Sequence, residues 1–212
     1  HRAHRQRLIR AVVADGLDLW VDGTRFRMDR GMVLEYRRSL DLRTGVLSRT
    51  VRWQPAAGGP VLSLDFERFV SLADPHRAAV AVRIAVVSGR AELRIRTGLD
   101  AHVNNTGLVH WEVIDQQTTP DAVGVLVRTR GTRAGLAVAA AVNVAGTVPW
   151  KQSLCDADGQ PAIERNAVLG AGDTLTVEKF VAVVPGLDAG DPLAAALAAA
   201  RRGQSEGYRG WL

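Results

Sequence analysis

LDLRTGVLSRTVRW, residues 40–53, consists of two extended segments on either side of the turn Arg43-Thr44-Gly45. Two later stretches have the same arrangement: ERFVSLADPHRAAVAVRI, residues 67–84, with an Asp-Pro turn, and IRTGLDAHVNNTG, residues 95–107, with an Asn-rich turn. Strands joined by short turns, with no helix between them, are typical of antiparallel pairing in a sandwich or barrel. The three stretches therefore predict one strand layer of a large sandwich.

Apolar and polar residues alternate along most of the chain, as they do in strands with one buried face. The clearest case has Leu62, Leu64 and Phe66 on one face, with polar residues between them. The same pattern predicts four further sets of inward-facing residues. They are Val80, Val82, Ile84 and Val86; Leu93 and Ile95; Val123, Val125 and Val127; and Leu175, Val177 and Val181. Weaker strands are predicted over residues 17–21, 33–42, 46–54, 109–114 and 135–143. The predicted fold class is all-β, a large antiparallel β-sandwich.

The C-terminal part of the chain has a different pattern, which predicts a helix. Asp191 can cap the helix, with Pro192 in its first turn, and residues 193–202 are alanine-rich. Gly203 is expected to end the helix, and Tyr208 and Trp211 to follow as exposed apolar anchors. We therefore divide the chain into a basic N-terminal segment, 1–16, a β-sandwich domain, 17–185, and a helical extension, 186–212.

Composition excludes some classes of protein. The 212 residues are 47% hydrophobic and have a net charge of +5, supplied almost entirely by arginine. No run of about eighteen uncharged apolar residues occurs, so no membrane span is expected. Arginines alternate with acids along the strands, as at Glu92 and Arg94, and this argues against a nucleic-acid-binding stripe. Cys155 is the sole cysteine, so no internal disulfide can form, and a cytoplasmic location is expected.

Candidate catalytic groups are few. Asp65 and Glu67 lie two residues apart on one strand face, a spacing that could serve an inverting glycosidase, but alternation also places acids on solvated strand faces. The histidines show no metal-ligand spacing, and no phosphate-binding or nucleotide-binding loop is present. We therefore predict no catalytic residue, no metal and no cofactor in this chain.

Tryptophans are candidates for sugar contacts, because sugars stack on aromatic faces. Trp53 shares a strand face with Leu47 and Val51 and is expected in the core. Trp111 follows an Asn-rich turn, and Trp150 follows Pro149 in a loop-like stretch. The predicted sugar or interdomain contact residues are His102, Asn104, Asn105, His110, Trp111 and Trp150.

The order of several phrases resembles the N-terminal domain of glycoside hydrolase family 65. They are Val21-Asp22-Gly23, LEYRR at residues 34–38, LDLRTGVL at 40–47, Glu67-Arg68-Phe69 through Asp74, and Gly98-Leu99-Asp100 through Asn104. The resemblance runs from about Leu17 to the end of the chain, where the alanine-rich helix is similar to that family's helical linker. The family's catalytic motif and its first strands have no counterpart here, so the chain is expected to be truncated at both ends.

This resemblance implies a galactose-mutarotase-like supersandwich that packs against a catalytic helical toroid in the complete enzyme. It also implies a non-catalytic accessory role in an enzyme that phosphorolyses or hydrolyses α-glucosyl disaccharides, with disaccharide and phosphate bound elsewhere in the parent. Support of the catalytic domain, homodimer formation and shaping of the substrate entrance are the expected tasks. A stand-alone carbohydrate-binding sandwich remains the alternative.

Overall fold

A computed structural model describes residues 17–104, 107–186 and 190–212 of the chain. The predicted N-terminal segment, 1–16, lies outside the described residues. The described part contains the following elements: β1 (Leu17–Val21), β2 (Thr24–Arg25), β3 (Met32–Leu40), β4 (Leu47–Gln54), β5 (Val61–Val70), β6 (Arg77–Ser88), β7 (Arg90–Gly98), β8 (Trp111–Thr118), β9 (Ala122–Thr129), β10 (Gly135–Gly146), β11 (Trp150–Ala157), β12 (Gln160–Gly170), β13 (Thr174–Pro185) and α1 (Pro192–Trp211).

The strands form two sheets that enclose one apolar interior. One sheet has eight strands in the order β3-β4-β5-β6-β13-β10-β9-β8, and the other has five in the order β11-β12-β7-β1-β2. Every strand pair in both sheets is antiparallel. The predicted all-β antiparallel sandwich is confirmed.

The three opening stretches do not lie in one layer. Residues 40–53 and 67–84 belong to the eight-stranded sheet, whereas residues 95–98 end β7 in the five-stranded sheet. The chain changes sheet at Gly89, whose positive φ of 82° provides the sharp bend between β6 and β7. A side chain there would also approach the Cα of Pro60 to 3.2 Å. The prediction of a single layer was wrong because period-two alternation shows which face is buried but not which sheet a strand joins.

Alternate residues of the two sheets meet in the interior. The larger group of buried residues combines Val51, Trp53 and Ile84 of the eight-stranded sheet with Leu93 and Ile95 of the five-stranded sheet. Trp53 has no exposed surface, and its indole Nε1 donates a hydrogen bond to the carbonyl oxygen of Arg30 at 2.7 Å. The prediction that Trp53 belongs to the core is therefore confirmed.

Two basic residues also lie inside the sandwich. Lys179 is fully buried, and its Nζ donates to the carbonyl oxygen of Gly98 in the opposite sheet at 2.6 Å. Arg165 is only 4% exposed, with Nη1 3.5 Å from the hydroxyl of Thr97 and no hydrogen-bond partner for Nε. Burial lowers the pKa of Arg165 to about 10, because a low-dielectric interior disfavours its charged form.

The helix packs on the outer face of the eight-stranded sheet. Strands β9, β10 and β13 present small residues there, and Leu193, Leu197 and Ala200 of α1 pack on them. A side chain at Gly124 would approach the Cδ1 of Leu193 to 2.8 Å, so the close contact depends on that glycine. The small residues beneath the helix are Ala122, Ala137, Ala139, Ala141 and Ala182. The alanine-rich strand β10 is thus buried on both faces.

The helix starts where the sequence predicts and continues beyond the predicted end. Asp191 accepts a hydrogen bond from the amide of Ala194 at 3.0 Å, which confirms its role as N-cap. The prediction that Gly203 ends the helix was wrong: that glycine lies against the ring of Trp211, and the backbone departs from helical geometry at Gly207 instead. Tyr208 and Trp211 are each 4% exposed, so they are buried anchors and not exposed ones.

Strand β11 was not predicted, and its residues show why. Trp150 begins this edge strand, although the sequence analysis places it in a loop-like stretch. Nearly all of β11 is exposed, so polar residues occupy both faces and the alternation that indicates a half-buried strand is absent.

Among the described residues, no helix has the length and apolar character needed to span a membrane.

The anchoring of α1 can be tested at its last turn. Trp211 packs edge-to-face on Phe180, with ring centroids 5.4 Å apart, and Tyr208 packs likewise on Phe69. We expect Trp211→Ala to lower the free energy of unfolding by about 3 kcal/mol, because truncation of a buried aromatic leaves a cavity. Urea unfolding measures this change. Leu212→Ala, at a side chain 42% exposed, is the control and should change stability by less than about 0.5 kcal/mol.

Candidate functional site

The loop after β7 is fixed to the β11–β12 hairpin. The amide of Leu99 donates to the carbonyl oxygen of Pro161 at 3.0 Å, and the amide of Ala101 donates to the carbonyl oxygen of Gly159 at 2.8 Å. Asp100 Oδ1 accepts from the side-chain amide of Gln160 at 3.1 Å. These bonds place the start of the predicted contact segment at one end of the sandwich, beside the hairpin turn.

His102 lies against that turn. Gly159 has a φ of +63°, and a side chain at this position would approach His102 Nε2 to 2.8 Å. His102 Nε2 is 3.9 Å from a carboxylate oxygen of Asp158, and the side chains of both residues are largely exposed. The imidazole therefore fits a surface contact better than a buried proton-transfer role.

The other described residues of the predicted segment lead into β8, which starts at Trp111. Asn104 Oδ1 accepts from the amide of Gly107 at 3.2 Å, and the carbonyl oxygen of His110 accepts from the amide of Arg130 at 2.8 Å. Asn105 lies outside the described residues. Trp111 is half-buried and packs against an interior group of residues that includes Leu99. Its ring thus contributes one side to the core and offers only part of its surface to a ligand.

Apolar side chains next to His110 are open to solvent. Leu108 is 59% exposed and Val109 is 51% exposed. Together with His102, Asn104 and His110 they define what we call the loop-end surface. Adjacent exposed apolar residues beside polar ones are typical of a contact region between domains or proteins.

Trp150 is not part of the loop-end surface. It is at the opposite end of β11 from Ala157, and seven strand residues correspond to about 23 Å. The structure therefore brings together His102, Asn104, His110 and Trp111, and places Trp150 elsewhere.

Trp150 instead lines a groove of about 670 Å³ beside the five-stranded sheet, which we call the Trp20 groove. Register places Lys151, Asn166, Arg94 and Trp20 in one row on the outer face of this sheet. The guanidinium carbon of Arg94 lies 4.1 Å from the centroid of the Trp20 ring. The volume is within the range of small-molecule sites.

The sequence analysis did not include Trp20 among the candidate residues. A signal was available, because Trp20 occupies an outward position between the inward residues Leu19 and Val21 of β1. What the sequence could not show is that β7 and β12 bring Arg94 and Asn166 alongside it.

Of the two acids considered as a glycosidase pair, Asp65 makes structural contacts. Asp65 Oδ1 accepts from the hydroxyl of Thr50 at 2.9 Å, and its other oxygen is 3.9 Å from Arg83 Nη1. Glu67 adds to the elevation of the pKa of Tyr208, whose main cause is burial of the phenol. Among the residues that the structure describes, no cluster of three or more His, Cys, Asp or Glu side chains could hold a metal ion.

The geometry therefore defines a β-sandwich domain with two surface regions suited to binding and with Asp65 engaged in structural contacts. Comparison with known families is more specific. The family model for the N-terminal domain of glycosyl hydrolase family 65 matches residues 1–212. The chain belongs to this family, as the resemblance predicted.

Curated relatives agree with the family assignment. The chain is 32% identical over 177 residues to a kojibiose phosphorylase of Halothermothrix orenii, an alignment that covers 82% of the chain and 23% of the relative. It is 31% identical over 193 residues to an uncharacterized glycosyl hydrolase of Mycobacterium tuberculosis, covering 84% of the chain and 14% of that protein. The chain thus spans about a quarter or less of the length of these relatives.

A solved structure confirms the fold. A candidate kojibiose phosphorylase from the human microbiome superposes with a TM-score of 0.81 over 95% of the chain and 26% of that structure, at 16% sequence identity. Identity this low supports the shared sandwich architecture and nothing about specificity.

The link between the loop-end surface and the sandwich can be tested at Gln116 in β8. Its Oε1 accepts from the amide of Gly159 at 2.8 Å, and its Nε2 donates to Asp156 Oδ1 at 3.0 Å. We expect Gln116→Ala to cost about 1–2 kcal/mol, because the Gly159 amide loses its partner. Hydrogen exchange should become faster in the β11–β12 turn. Gln117→Ala, at an exposed neighbour, is the control, and equal exchange in both variants would contradict the prediction.

Proposed function

We propose that this chain is the non-catalytic accessory domain of a family 65 enzyme that phosphorolyses or hydrolyses an α-glucosyl disaccharide. The observation that carries the proposal is the match of the whole chain to the N-terminal domain of that family, combined with relatives of which the alignment covers only 23% and 14%. The chemistry would take place in a catalytic helical toroid of the parent enzyme, where disaccharide and phosphate would bind.

The contacts of the acidic side chains support an accessory role. A glycosidase of the inverting type needs one carboxylic acid with a raised pKa and a carboxylate opposite it across the scissile bond. Here arginines lower the pKa of the partly buried acids: a hydrogen bond from Arg128 does so at Glu112, and one from Arg201 at Asp121. Acids paired in this way are charged at neutral pH and are poorly suited to donate a proton.

The loop-end surface is our candidate for the contact with the catalytic domain, and it would also shape the substrate entrance. It combines exposed apolar side chains with a loop whose first residues, Leu99 and Ala101, are hydrogen-bonded to the β11–β12 hairpin. Homodimer formation of the parent enzyme and a cytoplasmic location belong to the same proposal.

The contact can be tested in the full-length enzyme with the double substitution Leu108→Asp and Val109→Asp. Two charges placed in an apolar interdomain contact should lower kcat/KM for the disaccharide at least tenfold, or separate the domains under mild proteolysis. Leu72→Asp, at a side chain 97% exposed and outside the loop-end surface, is the control. Unchanged kinetics and assembly in the double variant would overturn the contact role.

The Trp20 groove favours one alternative, a carbohydrate-binding module, because an aromatic ring lies there beside amide and charged groups. Under the accessory proposal, calorimetry of the chain with maltose, trehalose or kojibiose should show no saturable binding. Saturable binding that is lost in Trp20→Ala and retained in Trp111→Phe would favour the module instead. Turnover of these sugars by the chain itself would contradict both.

A further inference from the structure

Three arginines lie together on the inner face of the eight-stranded sheet near its β3 edge. Val51 of β4 points into the core, so Arg49, two residues earlier, lies on the same face. Arg38 of β3 is directly opposite Arg49, and Arg68 of β5 is directly opposite Leu47. The three positions belong to adjacent strands and face the same side.

These arginines line a cavity of about 200 Å³ between strands β3 to β6 of the eight-stranded sheet and Leu17 of β1. Its walls include Tyr36, Phe66 and Leu47 in addition to the three basic residues. The guanidinium carbon of Arg49 lies 4.1 Å from the centroid of Phe66, so the aromatic ring holds this side chain over the cavity. The site is thus an aromatic pocket with a basic rim.

The direct opposition of Arg38 and Arg49 is unfavourable unless something offsets it, because like charges at directly paired positions repel. Within the described residues, neither side chain forms an ion pair with a carboxylate. Glu67 also lines the cavity. As the residue between Phe66 and Arg68, however, it belongs to the opposite face of β5, the face that is directed towards Tyr208. Burial of the Arg49 guanidinium lowers its pKa, Tyr36 acts in the opposite direction, and the charges of Arg68 and Arg38 add to the lowering.

We propose that this cavity binds a phosphate group, either as the free ion or as a small phosphate monoester. Planar guanidinium groups bind the oxygens of such anions through paired hydrogen bonds, and a dianion would offset the repulsion between the opposed arginines. The volume is below the usual range for drug-sized ligands and far below that of the Trp20 groove, so it favours a small anion over a disaccharide. This inference does not depend on the proposed accessory function.

The experiment measures phosphate binding to the chain by calorimetry and by the shift in Tm. Wild type should bind inorganic phosphate saturably, and Tm should rise with its concentration, because a ligand that binds only the folded state stabilises it. Arg38→Gln should weaken binding about tenfold, the loss expected for one charge-assisted contact. Arg68→Gln is a second variant, which provides an independent result if Arg38→Gln folds poorly.

Glucose 1-phosphate and glucose distinguish a monoester site from a free-ion site, since tighter binding of the monoester than of phosphate would identify the former.

Arg37→Gln is the matched control, because it removes the same charge from the same strand on the opposite face, where Arg37 pairs with Thr50. It should bind phosphate as wild type does. Without phosphate, Arg38→Gln should be at least as stable to urea as wild type, since it removes the like-charge opposition. Absence of saturable phosphate binding, or equal loss in Arg37→Gln and Arg38→Gln, would overturn the proposal. Binding by the chain but not by the full-length enzyme would overturn it as well.

Discussion

Burial of the central strands of the eight-stranded sheet on both faces is the constraint that organises this domain. In β10, valines such as Val138 and Val142 point into the sandwich, and alanines such as Ala139 and Ala141 point to the helix. A helix can approach a sheet closely only where the residues beneath it are small, so the alanine face determines where α1 packs. The kinked last turn then allows Tyr208 and Trp211 to cover Phe69 and Phe180. The helix is consequently part of the domain's packing.

The same packing separates the functional regions of the surface. With α1 covering the outer face of β9, β10 and β13, that face is closed to ligands, and three other regions stay open. The loop-end surface lies at one end of the sandwich, the Trp20 groove lies beside the five-stranded sheet, and the arginine-rimmed cavity lies on the inner face of β3, β4 and β5, next to Leu17 of β1. These regions differ in chemistry: the loop-end surface combines exposed apolar residues with histidine and asparagine, the Trp20 groove combines tryptophan with charged and amide groups, and the cavity is small and basic. Each therefore suits a different kind of partner.

Sequence patterns were informative wherever a physical rule acts over a few residues. Alternation identified β5, β6 and β7, the Asp191 cap identified the start of α1, and the shared face with Val51 identified Trp53 as core. The family resemblance, based on short phrases in order, was confirmed by the match to the whole chain. The candidate surface was predictable only in part, because residues 102–111 are local in sequence, whereas Trp150 belongs to a different region about 23 Å along β11.

The sequence by itself determined the all-β class, the buried face of strands with clear alternation such as β5, β6 and β7, and the family, because periodicity, capping and ordered motifs are properties of local chain segments. Tertiary structure alone decided which sheet each strand joins, how far α1 extends and which side chains meet across strands. Those outcomes depend on contacts between distant residues: Gly203 against Trp211, Lys179 against the carbonyl of Gly98, and Arg38 opposite Arg49. No local pattern records such pairings, because a strand with the same alternation can be placed in either sheet and in more than one register.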